Sequence, residues 1–118
     1  MDNGKIRLQQ LDRALICEAY TSDELTLDDI EWVFDKLKQN YSPPYLLIIV
    51  RKGNYTLSPQ AKLRIFFEKH KDLKVAYIVR RPMNLFHANN AKDTYLKGKQ
   101  VFFCDGIKSA YNVLVSYR

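Results

Sequence analysis

The chain has 118 residues, 47% of them apolar and 27% charged, a balance that fits one soluble globular domain over 1–118 and excludes a low-complexity chain. No apolar run approaches the ~20 residues that span a bilayer, and Met1-Asp2-Asn3-Gly4 has no signal-peptide character, so a cytoplasmic location is the default expectation. The net charge of +6 is unevenly spread: residues 1–50 hold 5 Lys/Arg against 9 Asp/Glu, and residues 51–118 hold 14 against 4. Such asymmetry either marks an anionic partner or lets acidic and basic surfaces offset one another.

The first stretch, "KIRLQQLDRALICEAY", alternates. Ile6 and Leu8 share one parity; Leu15, Cys17 and Ala19 share another, with Ile16 and Tyr20 opposite. Two strands joined through Leu11-Asp12-Arg13 follow from this pattern. Thr26-Leu27-Asp28-Asp29 then has the form of a helix start, Ser/Thr followed three residues later by an acid. Ile30, Val33, Phe34 and Leu37 lie at helical spacing, and Asp28, Asp29, Glu31 and Asp35 read as a solvated face. Tyr41-Ser42-Pro43-Pro44 ends the helix.

Leu46 to Val50 is a continuous aliphatic run, as expected of a strand buried on both faces. Leu73 to Val79 is a second such strand and Val101 to Cys104 a third. Helix-compatible segments occupy 58–70, 83–96 and 106–117, the last with Ile107, Ala110, Tyr111 and Leu114 at helical spacing. Phe66, Phe67, Phe102 and Phe103 read as core or interface. The order is β-β-α-β-α-β-α-β-α. It predicts an α/β fold with a mostly parallel sheet, an N-terminal hairpin and flanking helices.

In such sheets ligands lie outside the carboxyl ends of the strands. Here the first central strand ends in Arg51-Lys52, the second in Arg80-Arg81-Pro82 and the third in Asp105-Gly106. Helices begin near the same edge at Ser58-Pro59 and Asn84. Arg51, Lys52, Ser58, Arg80, Arg81 and Asn84 are therefore the expected binding residues of a basic rim suited to an acidic loop, a phosphate or a carboxylate. Ser58 is also a favoured helix cap, with Pro59 suited to the first helical position. His87 lies near the rim but reads first as a partly exposed helical histidine.

Signatures of chemistry are missing. There is no Gly-x-Ser-x-Gly elbow and no Gly-rich phosphate loop. His70 and His87 are far apart, and no Cys/His set has zinc spacing. Cys17 and Cys104 sit in apolar runs and read as buried free thiols. No catalytic residue, metal or other cofactor is assigned. Basic residues never exceed two in a row and no RNA-reading motif occurs, which argues against nucleic acid.

"YLLIIVRKGNYTLSPQAK", "LKVAYIVRRPMNLF" and "KQVFFCDGIKSAYNVL", in this order of elements, resemble the STAS domain, the fold of sulfate-transporter tails and anti-sigma-factor antagonists. The likeness spans about residues 5–117 and is similar in scale to small stand-alone bacterial STAS-like proteins of uncharacterised role. It implies a non-enzymatic interaction or regulatory module that binds a protein partner through the rim. The alternative is a small anionic ligand or lipid headgroup at the same rim. In antagonists of the family a serine in the loop after the aliphatic strand is phosphorylated, within Asp-Ser-Ser-Gly. Ser58 holds the similar position, as a phosphoacceptor in a second alternative, but stands in Leu57-Ser58-Pro59-Gln60 without the flanking aspartate and glycine. A homodimer through the hairpin or the aromatic-rich last helix is a further expectation.

Overall fold

Strands β1 (Ile6–Leu11) and β2 (Ala14–Ala19) form the expected antiparallel hairpin, with Ile6 opposite Ala19 and Leu11 opposite Ala14. The turn is Asp12-Arg13, and Asp12 has φ of 38°, a conformation aspartate tolerates better than most residues. These facts come from a computed structural model that describes residues 1–68 and 72–116. His70, the last residues of the helix expected over 58–70, and Tyr117 lie outside the described residues.

A two-residue strand, β3 (Glu24–Leu25), precedes helix α1 (Leu27–Asn40). Then follow β4 (Tyr45–Arg51), a second two-residue strand β5 (Thr56–Leu57), α2 (Pro59–Phe66), β6 (Leu73–Ile78), α3 (Pro82–Asp93), β7 (Gln100–Cys104) and α4 (Ile107–Ser116). The main sheet has the order β1-β2-β4-β6-β7, antiparallel at the hairpin and parallel elsewhere. The third helix is shorter than the expected 83–96, since residues 94–98 form turns.

Alternation decides which face each strand residue serves. Ile6, Leu8, Leu15, Cys17, Leu47, Val75 and Tyr77 enter a core under α1, α2 and α3. Ala14, Ile16, Leu46, Ile48, Ala76 and Ile78 enter a second core under α4, which contributes Ala110 and Leu114. The central strands β4 and β6 serve both cores, which is why residues 46–50 read as an unbroken aliphatic run and β6 is apolar apart from Lys74 near its start. Each fully buried aliphatic chain here, such as Ile48 or Leu15, adds roughly 1.5–3 kcal/mol over an exposed one. Cys17 is a buried free thiol, and desolvation pushes its pKa up to about 12.

Two expectations about surface residues change. Phe67 is 74% exposed and Phe66 40%, so neither is core. The buried face of α2 is set by Ala61 and Ile65, four residues apart, and the phenylalanines fall off that stripe. Asp29 is not on a solvated face. Its carboxylate accepts from the Thr26 backbone N–H at 2.8 Å, from Lys5 Nζ at 3.1 Å and from Asn3 Nδ2 at 3.0 Å. The Thr26 hydroxyl in turn accepts from the Asp29 N–H, completing the capping box and tying the N-terminal segment to α1. Glu31 stays partly exposed and pairs with Arg64, whose guanidinium also holds Glu68 at 2.7 Å.

Burial works to raise the Asp29 pKa, but the Thr26 and Lys5 contacts outweigh it and hold the carboxyl below its ordinary value. A depressed carboxylate adds stability above the unfolded pKa and loses it as pH falls through the folded one. Asp29→Ala is expected to cost about 2 kcal/mol at neutral pH, a melting temperature lower by roughly 8 °C. Thermal melts of wild type should also fall on acidification below about pH 4, and less steeply in Asp29→Asn.

Candidate anion site

Strands β4 and β6 are parallel neighbours, with Ile49 beside Tyr77, so their carboxyl ends emerge together. Arg51-Lys52 and Arg80-Arg81 leave the sheet at the same edge. β7 ends beside them, and Arg80 Nε donates to the Asp105 carbonyl at 2.9 Å, holding that guanidinium across the edge. Helix α3 opens there too. Arg81 is its N-cap residue with no side-chain cap bond, and Pro82 fills the first turn, where its missing N–H is not needed.

These elements enclose a cleft of about 410 Å³. Its walls include Arg51, Lys52, Arg80, Arg81, Asn84 and His87, and no carboxylate lines it. Among the described residues, none of the four cations pairs with an acid. Lys52, Arg80 and Arg81 are exposed and Asn84 half-buried. Arg51 is half-buried: its guanidinium stacks 3.8 Å from the centre of the Tyr55 ring, and Nη2 donates to the Tyr55 carbonyl. That stacking fixes the direction of the charge without neutralising it. Burial raises the Tyr55 phenol well above its ordinary range, so it stays protonated beside the cation.

The floor of the cleft depends on Gly53. The N–H groups of Lys52 and Gly53 both donate to the Ala19 carbonyl, at 2.9 and 3.1 Å. This draws the loop so close to the β2–β3 connection that a Cβ on Gly53 would lie 1.9 Å from the Thr21 carbonyl oxygen. Glycine is required here for space.

A smaller cleft of about 230 Å³ adjoins the first, walled by Tyr55, Leu57, Phe86 and Tyr95 among others. Arg51 and His87 line both and stand between them. The His87 Nε2 is buried without a hydrogen-bond partner among the described residues. Desolvation, and then the Arg51 charge, lower its pKa from the ordinary histidine value, so the imidazole is neutral at pH 7. At the other end of the strands a cleft of about 450 Å³ contains Asp12 with Arg13 and Lys74, a mixture of signs unlike the rim.

No family model and no curated protein sequence matches the chain. Among solved structures, an uncharacterised protein from the DUF3478 family with a SpoIIAA-like fold, from Shewanella loihica PV-4, superposes with a TM-score of 0.60 at 19% identity. The match covers 97% of this chain and 98% of that one. The chain has a STAS-like fold.

In this STAS-like frame Ser58 does begin the helix after the aliphatic strand, yet it is not among the residues lining either cleft. The reason is the second, two-stranded sheet. β5 pairs in parallel with β3, and the Ser58 N–H donates to the Leu25 carbonyl at 2.9 Å. The chain is thereby led away from the cleft. Ser58 is 6% exposed, and its hydroxyl accepts from the Ala61 N–H at 3.1 Å as an N-cap. The other five expected residues converge on one cleft. His87 joins them, and its signal was spacing: it follows Asn84 by three and Met83 by four, on one helix face. Gly53, Tyr55 and Tyr95 had no sequence signal, because their roles depend on contacts between elements distant in the chain. No helix among the described residues is long and apolar enough to cross a membrane.

Proposed function

We propose that this chain is a non-catalytic STAS-like binding module whose rim cleft receives an anionic group. The observation that supports it most is four cations around one concave space with no carboxylate in its walls. Guanidinium groups form short, charge-assisted bonds to phosphate and carboxylate oxygens. The open end of α3 adds the partial positive charge of a helix N-terminus to the same space. Keeping like charges together without a counter-ion lowers stability, and an anion relieves that repulsion.

The anion belongs either to a small molecule or to an acidic segment of a protein partner. The cleft's concavity and size favour the first, since they fall within the ~300–1,000 Å³ of small-ligand sites. The second is supported by apolar side chains beside the cleft, Met83 at 61% and Phe86 at 65% exposure, which a larger partner would cover. Phosphorylation of Ser58 is a weaker reading, because the hydroxyl is buried as a helix cap.

Thermal denaturation with inorganic phosphate, with anionic vesicles and with an acidic peptide separates the sources. A ligand at 100 times its Kd should add roughly 2.7 kcal/mol of stability. Stabilisation by phosphate alone indicates the small anion, by vesicles a lipid headgroup, and by the peptide alone a protein partner. If none of the three stabilises the protein, the rim is not an anion site.

A further inference from the structure

We infer that His87 makes the rim cleft selective for an oxyanion that still carries a proton, of which hydrogenphosphate is the simplest, over anions with no hydrogen to donate, such as sulfate or a carboxylate. This inference rests on the rim being an anion site.

Two geometric observations carry it. The first is an imidazole nitrogen, His87 Nε2, buried in a residue that lines a cationic cleft and with no hydrogen-bond partner among the described residues. Burying such an atom unpaired is unfavourable, and a ligand that supplies the missing hydrogen bond recovers that cost. Binding includes a turn of the ring about its Cβ–Cγ bond, since Nε2 is shielded from solvent in the free protein. The second observation is its company. Arg51 borders both clefts with His87, and every other charged residue around them (Lys52, Lys62, Arg80, Arg81) is also a cation.

That company determines what the imidazole can do. With Arg51 beside it and no carboxylate lining either cleft, the ring is held neutral, consistent with a pKa lowered first by desolvation and then by the Arg51 charge. Every cation at the site is a hydrogen-bond donor with nothing to accept through. Once turned toward the cations, the neutral imidazole nitrogen presents a lone pair, since a lone pair directed at positive charge is favoured over an N–H so directed. The Asn54 and Asn84 amides that also line the cleft can present either an oxygen or an NH₂ and so do not discriminate. A fully deprotonated oxygen pressed against that lone pair is repelled. A P–OH group directed at it donates a hydrogen bond while the remaining oxygens accept from the guanidinium groups. The discrimination therefore comes from both an attraction and a repulsion.

Hydrogenphosphate and sulfate test this cleanly, because at about pH 8 both are dianions of similar size that differ by one O–H. Isothermal titration of the wild type at that pH should show phosphate bound about tenfold more tightly than sulfate, the equivalent of one net hydrogen bond. In His87→Phe, which keeps a ring but removes both nitrogens, the ratio should fall toward one. The ¹⁵N resonance of the His87 acceptor nitrogen in the wild type should move on adding phosphate. Equal wild-type affinities for the two anions would overturn the role of His87 while leaving the rim as an anion site. A preference that persists in His87→Phe would overturn the assignment to this residue. If neither anion binds, both readings fail. Should the variant not fold, the wild-type ratio and the histidine resonance still decide.

Discussion

Gly53→Ala is expected to lower stability by about 3 kcal/mol, equivalent to roughly 12 °C in melting temperature, although the change adds one methyl group at the protein surface. The new Cβ would lie 1.9 Å from the Thr21 carbonyl oxygen and 2.6 Å from that of Tyr20, both backbone atoms that cannot rotate away. Relief requires residues 51–54 to lift from β2. That movement breaks the bonds from the Lys52 and Gly53 N–H groups to the Ala19 carbonyl. It also displaces Arg51, the residue common to both clefts. The variant should therefore lose anion affinity together with stability. Calorimetry and a phosphate titration on the same sample check the coupling. A Gly53→Ala protein that melts like wild type would show that the loop does not pack against β2 in this way.

Charge reversal should have the largest effect on binding. Arg51→Glu with Arg80→Glu removes two cations and places two anions in the cleft. With each charge-assisted bond worth about 1.5–3 kcal/mol, phosphate affinity should fall at least ~100-fold. Wild-type binding should weaken as salt is raised, since three of the four cations are exposed and screened. Arg51 also stacks on Tyr55, so the double variant is expected to lose some stability. Lys52→Glu with Arg81→Glu is the companion test, because neither side chain forms an ion pair among the described residues. That pair should stay as stable as wild type and still bind phosphate weakly. Unchanged affinity in both double variants would contradict the rim.

What could be read from the sequence was what repeats along it. The apolar runs at 46–50 and 73–79 announced strands buried on both faces, the second broken only by Lys74 near its start, because the middle of the sheet is covered on both sides. The Thr26–Asp29 spacing announced the start of α1, since a capping box is a local interaction. Parallel pairing then brought two dibasic pairs to one edge, a consequence of topology that follows from element order alone. What depends on distant pairing was not legible. β3 and β5 are two residues each, too short to show a period, yet their pairing takes Ser58 out of the cleft. Asp29 looked like one of several surface acids until Lys5 and Asn3 folded against it. In α3 the buried residues are Ala88 and Ala91, so Met83, Leu85 and Phe86 stay outside although their hydrophobicity suggests burial.

The most direct test of the rim as an anion site is a titration of uniformly ¹⁵N-labelled protein with inorganic phosphate, followed by amide chemical shifts. Saturable shifts concentrated in residues 51–54 and 80–87 are the predicted result. The absence of saturable shifts there, or larger ones around Asp12 and Tyr41 at the opposite end of the strands, would contradict it.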